Sequence, residues 1–235
     1  MADPFYVPRL AGVALRARET LARWLFPVAC LGCGRQLAGG EALHLCIACR
    51  ARLRPAPPVP APSMLPRSGG PIALRILSLW RYEPPLDAVI LALKFRRLDY
   101  LGRHLAHELA AAFGGQLGTA DLVVPVPLHW TRRVARGFDQ AERIAVPLAA
   151  RLGLPVARAL VRRRATRAQA SLGRAARLAN LAGGFRVDRA RAVAGRRILL
   201  VDDVATTGAT LEAAASVLLA AGAAEVFALT AARTP

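Results

Sequence analysis

From residue 73 onward, short apolar runs alternate with longer segments in which apolar residues recur at helical spacing. The runs predict strands near residues 76–80, 122–126, 157–161, 197–201 and 225–230, all rich in Val, Ile or Leu or in small apolar residues. The intervening segments predict helices near 86–95, 101–113, 139–152 and 207–221. Strand and helix in repeated succession describe βα units around a mostly parallel sheet, an α/β class fold.

The pattern is different before residue 73. Seven of the 17 prolines fall between Pro55 and Pro71, and Ser68, Gly69 and Gly70 follow most of them, which predicts an extended, semi-rigid connection. The chain therefore divides into an N-terminal helix and cysteine-containing module over 1–54, a linker over 55–72 and a main domain over 73–235. At the N-terminus, Arg9, Arg16, Arg18 and Arg23 interrupt the apolar residues at helical spacing, unlike the continuous apolar core of a secretory signal. The uncharged stretch 213–224 is too short to span a bilayer about 30 Å thick. These features predict a cytoplasmic protein without membrane insertion.

All four cysteines lie in the first module, as Cys30-x2-Cys33 and, 12 residues on, Cys46-x2-Cys49. Two close pairs at this spacing can wrap one tetrahedral zinc between two knuckle turns, with Gly32 and Gly34 suited to the first. Four protein ligands leave no open position for a substrate, so the zinc would be structural, stabilising a module too small to fold on its own core. The competing arrangements are two disulfides, which a reducing cytoplasm disfavours, and a redox pair, which usually sits on a βα unit. His44, beside Leu45 and Cys46, could replace one thiolate but is expected at the surface.

In the main domain, the segment ILLVDDVATTGAT over 198–210 carries the most chemistry. Four apolar residues form a buried strand, two acids follow, and a turn of small and hydroxylic residues opens a helix, the place where open α/β sheets bind ligands. The backbone N–H groups of Thr206, Thr207, Gly208, Ala209 and Thr210 can converge on a phosphate at the positive end of the helix dipole. Asp202 and Asp203 suit an anion site only if they accept hydrogen bonds from sugar hydroxyls, with Mg²⁺ assisting. A ribose carrying a 5-phosphate meets both demands. Asp202, Asp203, Val204, Ala205 and Thr206 to Thr210 are thus the candidate phosphoribosyl-binding residues, with the two acids as catalytic candidates. Read blandly, the segment is a buried strand followed by an N-capped helix.

Composition qualifies this picture. The formal charge is +18, which favours sequence-independent contact with nucleic-acid phosphates, but Lys94 is the only lysine among 33 basic residues. Abundant Arg and Ala together are also what a GC-rich coding sequence produces, and an aromatic content of 6% supplies few stacking platforms. No G-x-x-x-x-G-K-[ST] or G-x-G-x-x-G occurs, which excludes a P-loop NTPase and a dinucleotide-binding turn.

These motifs occur in the same order in a known family. Through the four-cysteine module, LKFRRLDYLGRHLA at 93–106, VPVPLHWTRRVARGFDQAE at 124–142, RATRAQASLGRAARLANLAGGF at 164–185 and the 198–210 turn, the chain resembles the competence protein F (ComF) family. That family is amidophosphoribosyltransferase-like, carries a zinc ribbon and is linked to DNA uptake. The resemblance implies a type I phosphoribosyltransferase fold that binds 5-phosphoribosyl pyrophosphate. It further implies that the loop around Pro125, Val126, Pro127 and Leu128 grips pyrophosphate, with Arg132 and Arg136 nearby, one helical turn apart. Those two arginines also fit a solvated basic helix. Arg164, Thr166, Gln169 and Arg174 lie in a segment that looks like a mobile hood over the substrate, although alone it would read as a basic helix or loop contacting DNA phosphates. Where the family has RGFNQ this chain has Asp139, an acid in place of an amide.

If the chain is an enzyme, it displaces pyrophosphate at the anomeric carbon by positioning the ribose and stabilising the departing charge, with no covalent nucleophile. Glutamine-dependent transfer is rejected, because every cysteine is committed to the proposed zinc. The second reading, of another class, keeps the fold as a phosphoribosyl-sensing or single-stranded-DNA-handling module that has lost transfer and works with DNA-uptake proteins.

Overall fold

The computed structural model describes residues 28–57, 63–66, 70–96, 98–129, 131, 134, 136–162 and 184–235. The cysteine module opens with an isolated bridge between Ala29 and Gln36. A 3-10 turn, Ala42–His44, and a short helix α1, Ile47–Arg50, complete it. The main domain then runs β1 (Ser63–Leu65), β2 (Ile72–Arg81), α2 (Leu86–Phe95), α3 (Leu101–Leu117), β3 (Leu122–Pro125), α4 (Gln140–Leu152), β4 (Leu160–Arg162), β5 (Phe185–Val187), α5 (Ala190–Val193), β6 (Arg197–Ala205), α6 (Ala209–Ala220) and β7 (Glu225–Arg233).

Five strands form one sheet in the order β1-β2-β7-β6-β3, while β4 and β5 make a separate antiparallel pair. Within the sheet β2, β7, β6 and β3 are parallel, and only the edge strand β1 is antiparallel. The central strands are buried on both faces, which explains why β6 and β7 read as continuous apolar runs without alternation. On one face Leu199, Val201, Phe227 and Leu229 pack with α2, α3 and α4; on the other Ile198, Leu200, Val226 and Ala228 pack with α6. The fold is therefore α/β, a mostly parallel sheet flanked by helices as the resemblance to type I phosphoribosyltransferases implies, with a four-cysteine cluster in its N-terminal region.

Helix α2 has the bounds expected from the sequence, whereas three strands run further than their apolar cores. The strand β6 continues through the two acids to Ala205, and α6 begins at Ala209 and not at Thr207. The run at 157–161 becomes strand only from Leu160, and Val156 joins β3 through a single bridge to Val123. The proline-rich stretch is less featureless than its composition suggests. Pro55 bridges to Trp80 and β1 pairs with the start of β2, so two described parts of the connection lie against β2.

The cysteine module shares its core with the main domain. Cys30, Leu37, Leu43, Leu45, Cys46 and Cys49 belong to the same buried cluster as Leu86, Ile90, Leu101 and Leu105. A Cβ on Gly32 would stand 2.7 Å from the Pro85 Cβ and 3.0 Å from the Cys49 Sγ, so only glycine permits this approach.

Candidate functional sites: a sulfur cluster and a phosphate turn

The four cysteines converge. Their Sγ atoms all lie within 4.8 Å of one another, with Cys30, Cys46 and Cys49 buried and Cys33 exposed. None is in a disulfide. The first pair sits on the turn over residues 31–33 and the second brackets the start of α1, where Cys46 is the N-cap. The Cys46 backbone N–H donates to the Cys30 sulfur at 3.3 Å, and the Cys33 and Cys46 sulfurs are 3.7 Å apart.

The thiols are pulled in opposite directions. Burial alone would raise the Cys30 pKa, but backbone N–H groups of Cys46, Cys33 and Gly32 outweigh it and bring the thiol down to about 6. Cys49 is pushed up to about 12, first by burial and then by hydrogen bonds with the neighbouring thiols. Four sulfurs this close become thiolates together only around a cation, and an all-sulfur tetrahedral donor set fits zinc.

His44 is not among these converging groups, and it is not a surface residue as expected. It is half-buried, with the Tyr100 hydroxyl at 3.0 Å from Nε2 and 3.2 Å from Nδ1, and the two rings 5.1 Å apart. Together with the Arg50–Glu108 ion pair at 2.6 Å it joins the module to α3 and the turn before it.

At the C-terminal end of the sheet, β6 delivers Asp202 and Asp203. The Asp202 carboxylate accepts the Asp203 backbone N–H at 2.8 Å. Burial, and then the charge of Asp203, push Asp202 up to about 8. Asp203 is buried and faces the Lys94 ammonium, 3.0 Å from its Oδ2. Lys94, the only lysine of the chain, lies in the last turn of α2. This pairing could not be read from sequence spacing, because the two groups lie 109 positions apart and meet only when β6 and α2 are packed. The sole signal was the lysine's uniqueness in an arginine-rich chain.

After Ala205 the chain turns through Thr206, Thr207 and Gly208 into α6. Gly208, the N-cap residue, has φ 81°, a left-handed conformation that side-chain-bearing residues rarely adopt. Thr206 and Thr207 are exposed, Thr210 is half-buried and Ala209 is buried, and the Thr207 hydroxyl accepts a long 3.5 Å contact from the Ala209 N–H. The turn is fastened from behind by the end of the chain: the Thr234 N–H donates to the Ala205 carbonyl at 3.1 Å and its hydroxyl to the Thr206 carbonyl at 3.2 Å.

The neighbouring loop is held by the same elements. The Val126 N–H donates to the Val201 carbonyl at 2.9 Å, and the Leu128 N–H to Asp139 Oδ2 at 2.7 Å, with Pro127 between them half-buried. Asp139 also caps α4, its Oδ1 accepting from the Glu142 N–H at 3.4 Å. Burial raises the Asp139 pKa, against the lowering influence of the Leu128 N–H, and its charge in turn raises that of Asp202. Both hydrogen bonds are accepted by Asp139, so neither needs the amide donor that the acid replaced. Arg136 donates to the Gln140 side-chain oxygen at 3.0 Å and stacks its guanidinium 4.8 Å from the ring centre of Phe95, the residue after Lys94. The structure thus gathers Asp202, Asp203, the 206–210 turn, Val126 to Leu128 and Arg136 at one end of the sheet. Arg132 and the hood residues Arg164, Thr166, Gln169 and Arg174 lie outside the described residues. Among the described residues, no helix is long and apolar enough to cross a membrane.

The model of the phosphoribosyl transferase domain family matches residues 139–235. DNA utilization protein YhgH of Salmonella typhi is 37% identical over 158 residues, which cover 65% of this chain and 69% of that protein. The protein of the same name from Escherichia coli (strain K12) is 36% identical over the same shares. Competence protein F of Haemophilus influenzae is 31% identical over 159 residues, again 65% of this chain and 69% of that one. Among solved structures, glutamine phosphoribosylpyrophosphate (PRPP) amidotransferase from B. subtilis complexed with ADP and GMP is 27% identical with a TM-score of 0.37, and the match covers 56% of this chain. It spans a quarter of that enzyme's chain, 25%.

Proposed function

The chain belongs to the competence protein F family of phosphoribosyltransferase-fold proteins, and from that premise we propose that it binds 5-phosphoribosyl pyrophosphate with Mg²⁺ at the turn between β6 and α6. The observation that carries this reading is the sequence of groups at the end of β6: two adjacent carboxylates, then a left-handed glycine, then a helix N-terminus, all within residues 202–209. In this reading Asp202 and Asp203 accept the ribose hydroxyls, while the N–H groups of 206–210 hold the 5-phosphate. The loop Val126 to Leu128 receives the pyrophosphate with Arg136 and Arg132. Mg²⁺ would supply charge neutralisation for the pyrophosphate, next to the acid pair. The hood residues Arg164, Thr166, Gln169 and Arg174 would close over the ligand and exclude water.

The four-cysteine module of 1–54 is a zinc ribbon in this account. It is structural, joined by the 55–72 connection to the 73–235 domain and braced against α2 and α3. In this reading the protein works in the cytoplasm and in DNA uptake during natural competence, a role that relatives named for DNA utilization and for competence support. Transfer, if retained, would proceed by in-place displacement of pyrophosphate, with the ribose held by the acids and the leaving charge met by arginine.

A second reading has one observation in its favour. Phe95 is 63% exposed beside the site with the Arg136 guanidinium over its ring, a pairing that could stack a base and meet a phosphate of single-stranded DNA. Calorimetric titration with 5-phosphoribosyl pyrophosphate and Mg²⁺ tests the first reading: 1:1 binding is expected, and no detectable heat with folded protein would remove it. Pyrophosphate release across a panel of bases and amines would make the protein a transferase. Binding without release, with single-stranded DNA affinity falling steeply with salt, would favour the second reading.

A further inference from the structure

A buried guanidinium stands behind the phosphate turn with no acid paired to it among the described residues. Arg233, at the end of β7, is 7% exposed, and its Nη1 is buried without a hydrogen-bond partner. Its Nη2 lies 4.0 Å from the point where a Cβ on Gly208 would project, a point that Ile76 Cδ1 approaches to 3.2 Å. The Glu212 carboxylate comes to 3.7 Å of the same point.

The backbone fixes Arg233 at this spot. Its register partners are Ala205 on one side and Arg81 on the other, so the ends of β6, β7 and β2 lie side by side beneath the turn. The Arg233 carbonyl accepts the Tyr82 N–H at 2.6 Å, and the next residue, Thr234, is the one that fastens Ala205 and Thr206. Arg81 adds a second unmatched donor, a buried Nε without a partner. The two arginines are adjacent in register, and each keeps a buried N–H that no group among the described residues satisfies. An anion would satisfy such donors.

We propose that Arg233, seconded by Arg81, is the charge reader of this turn: it recognises the phosphate monoester of a phosphorylated sugar from behind the loop whose backbone N–H groups hold it in front. This rests on the phosphoribosyl reading for the identity of the sugar, but not for the anion. The backbone of a turn supplies direction and partial charge, whereas a full positive charge distinguishes a phosphate dianion from a neutral hydroxyl. Arg233 is thereby a specificity residue that selects phosphorylated over unphosphorylated sugar. Desolvation holds the Arg233 pKa below its ordinary value, in keeping with a cation lacking its counter-ion.

The test compares wild type, Arg233→Met and Arg233→Lys by thermal unfolding and calorimetry with ribose 5-phosphate, ribose, inorganic phosphate and 5-phosphoribosyl pyrophosphate. Arg233→Met should weaken ribose 5-phosphate binding by about ten- to a hundredfold, the range of a charge-assisted contact, with ribose unchanged. Its ligand-free midpoint should equal or exceed that of wild type, because an uncompensated buried charge has been removed. Arg233→Lys should fall between the two in affinity. If Arg233→Met melts lower yet binds ribose 5-phosphate as wild type does, Arg233 is a structural cation and the proposal is overturned; should it fail to fold, Arg233→Lys with wild-type affinity and a lowered midpoint overturns it equally. If wild type binds neither phosphorylated sugar, the phosphoribosyl reading fails by itself. Inorganic phosphate then decides for Arg233: stabilisation of wild type but not of Arg233→Met upholds the anion site, and no stabilisation of either ends it.

Discussion

The sulfur cluster and the turn after β6 set like groups against each other in opposite ways. In the first, four thiols from two knuckles meet within 4.8 Å and their ligand atoms point at one another. A single cation would satisfy all of them, and no position is left over. In the second, Asp202 and Asp203 are adjacent and, among the described residues, Lys94 makes its ion pair with Asp203, while Arg233 and its register neighbour Arg81 each keep a buried N–H without a partner. On the proposed reading the first site is closed and serves stability, whereas the second is open and its imbalance is what a ligand with hydroxyls at one end and phosphate at the other would resolve. Buried polar groups left unsettled by the fold point to function more reliably than those the fold has settled.

The comparison is most severely tested at the cysteines. Zinc-dependent modules draw about 10–16 kcal/mol of apparent folding energy from the metal, as much as a whole domain's net stability of about 5–15 kcal/mol. Purified protein should therefore contain one zinc per chain, and Cys46→Ser should lose both the metal and the module's fold. Because Leu43 and Leu45 share a core with Leu86 and Leu101, the main domain should also melt earlier. A metal content near zero with an unchanged midpoint would reduce the closed site to a thiol cluster.

The open site should behave differently, losing ligand before it loses fold. Asp202→Asn combined with Asp203→Asn should weaken 5-phosphoribosyl pyrophosphate binding by about a hundredfold or more, while circular dichroism stays native. Lys94→Met, which strands the buried Asp203 carboxylate, should destabilise by about 3 kcal/mol in chemical denaturation. A neutral effect there would mean that the pair is not formed in solution.

A smaller effect follows from Asp202. Its pKa in the ligand-free fold is about 8, against an ordinary value near 4, so the folded chain holds a proton that the unfolded chain releases. That contribution to stability is full below about pH 4 and is lost as pH rises toward 8. Wild type should thus lose more stability than Asp202→Asn between about pH 5 and 8, as paired denaturation curves would show. Smallest of all is Asp139→Asn: both contacts are accepted by the carboxylate, and exchanging one oxygen for NH₂ gives up the weaker contact at 3.4 Å while removing a buried charge. The expected change is within about 1 kcal/mol.

Much of the main domain was legible because its signals are local. Apolar runs marked the parallel strands, Asp139 marked a helix start, and the small residues from Thr206 to Thr210 marked the turn. What escaped was non-local. Lys94, Arg81 and Arg233 lie on three separate elements and acquire meaning only through the sheet order that brings their ends to the turn. The edge strand β1 was hidden by the prolines around it, since its three residues take their strand geometry from pairing with β2. His44, expected at the surface because four cysteines already complete a ligand set, instead packs half-buried against Tyr100 from a distant part of the chain.

The central claim is that the turn between β6 and α6 is where the phosphoribosyl group sits. Amide hydrogen exchange with and without saturating 5-phosphoribosyl pyrophosphate and Mg²⁺ tests it at the residues concerned. The account predicts slowed exchange at residues 206–210, with lesser slowing at 126 and 128, and no change in the cysteine module. Slowing confined to other segments, or none at the turn while the ligand is demonstrably bound, would contradict it.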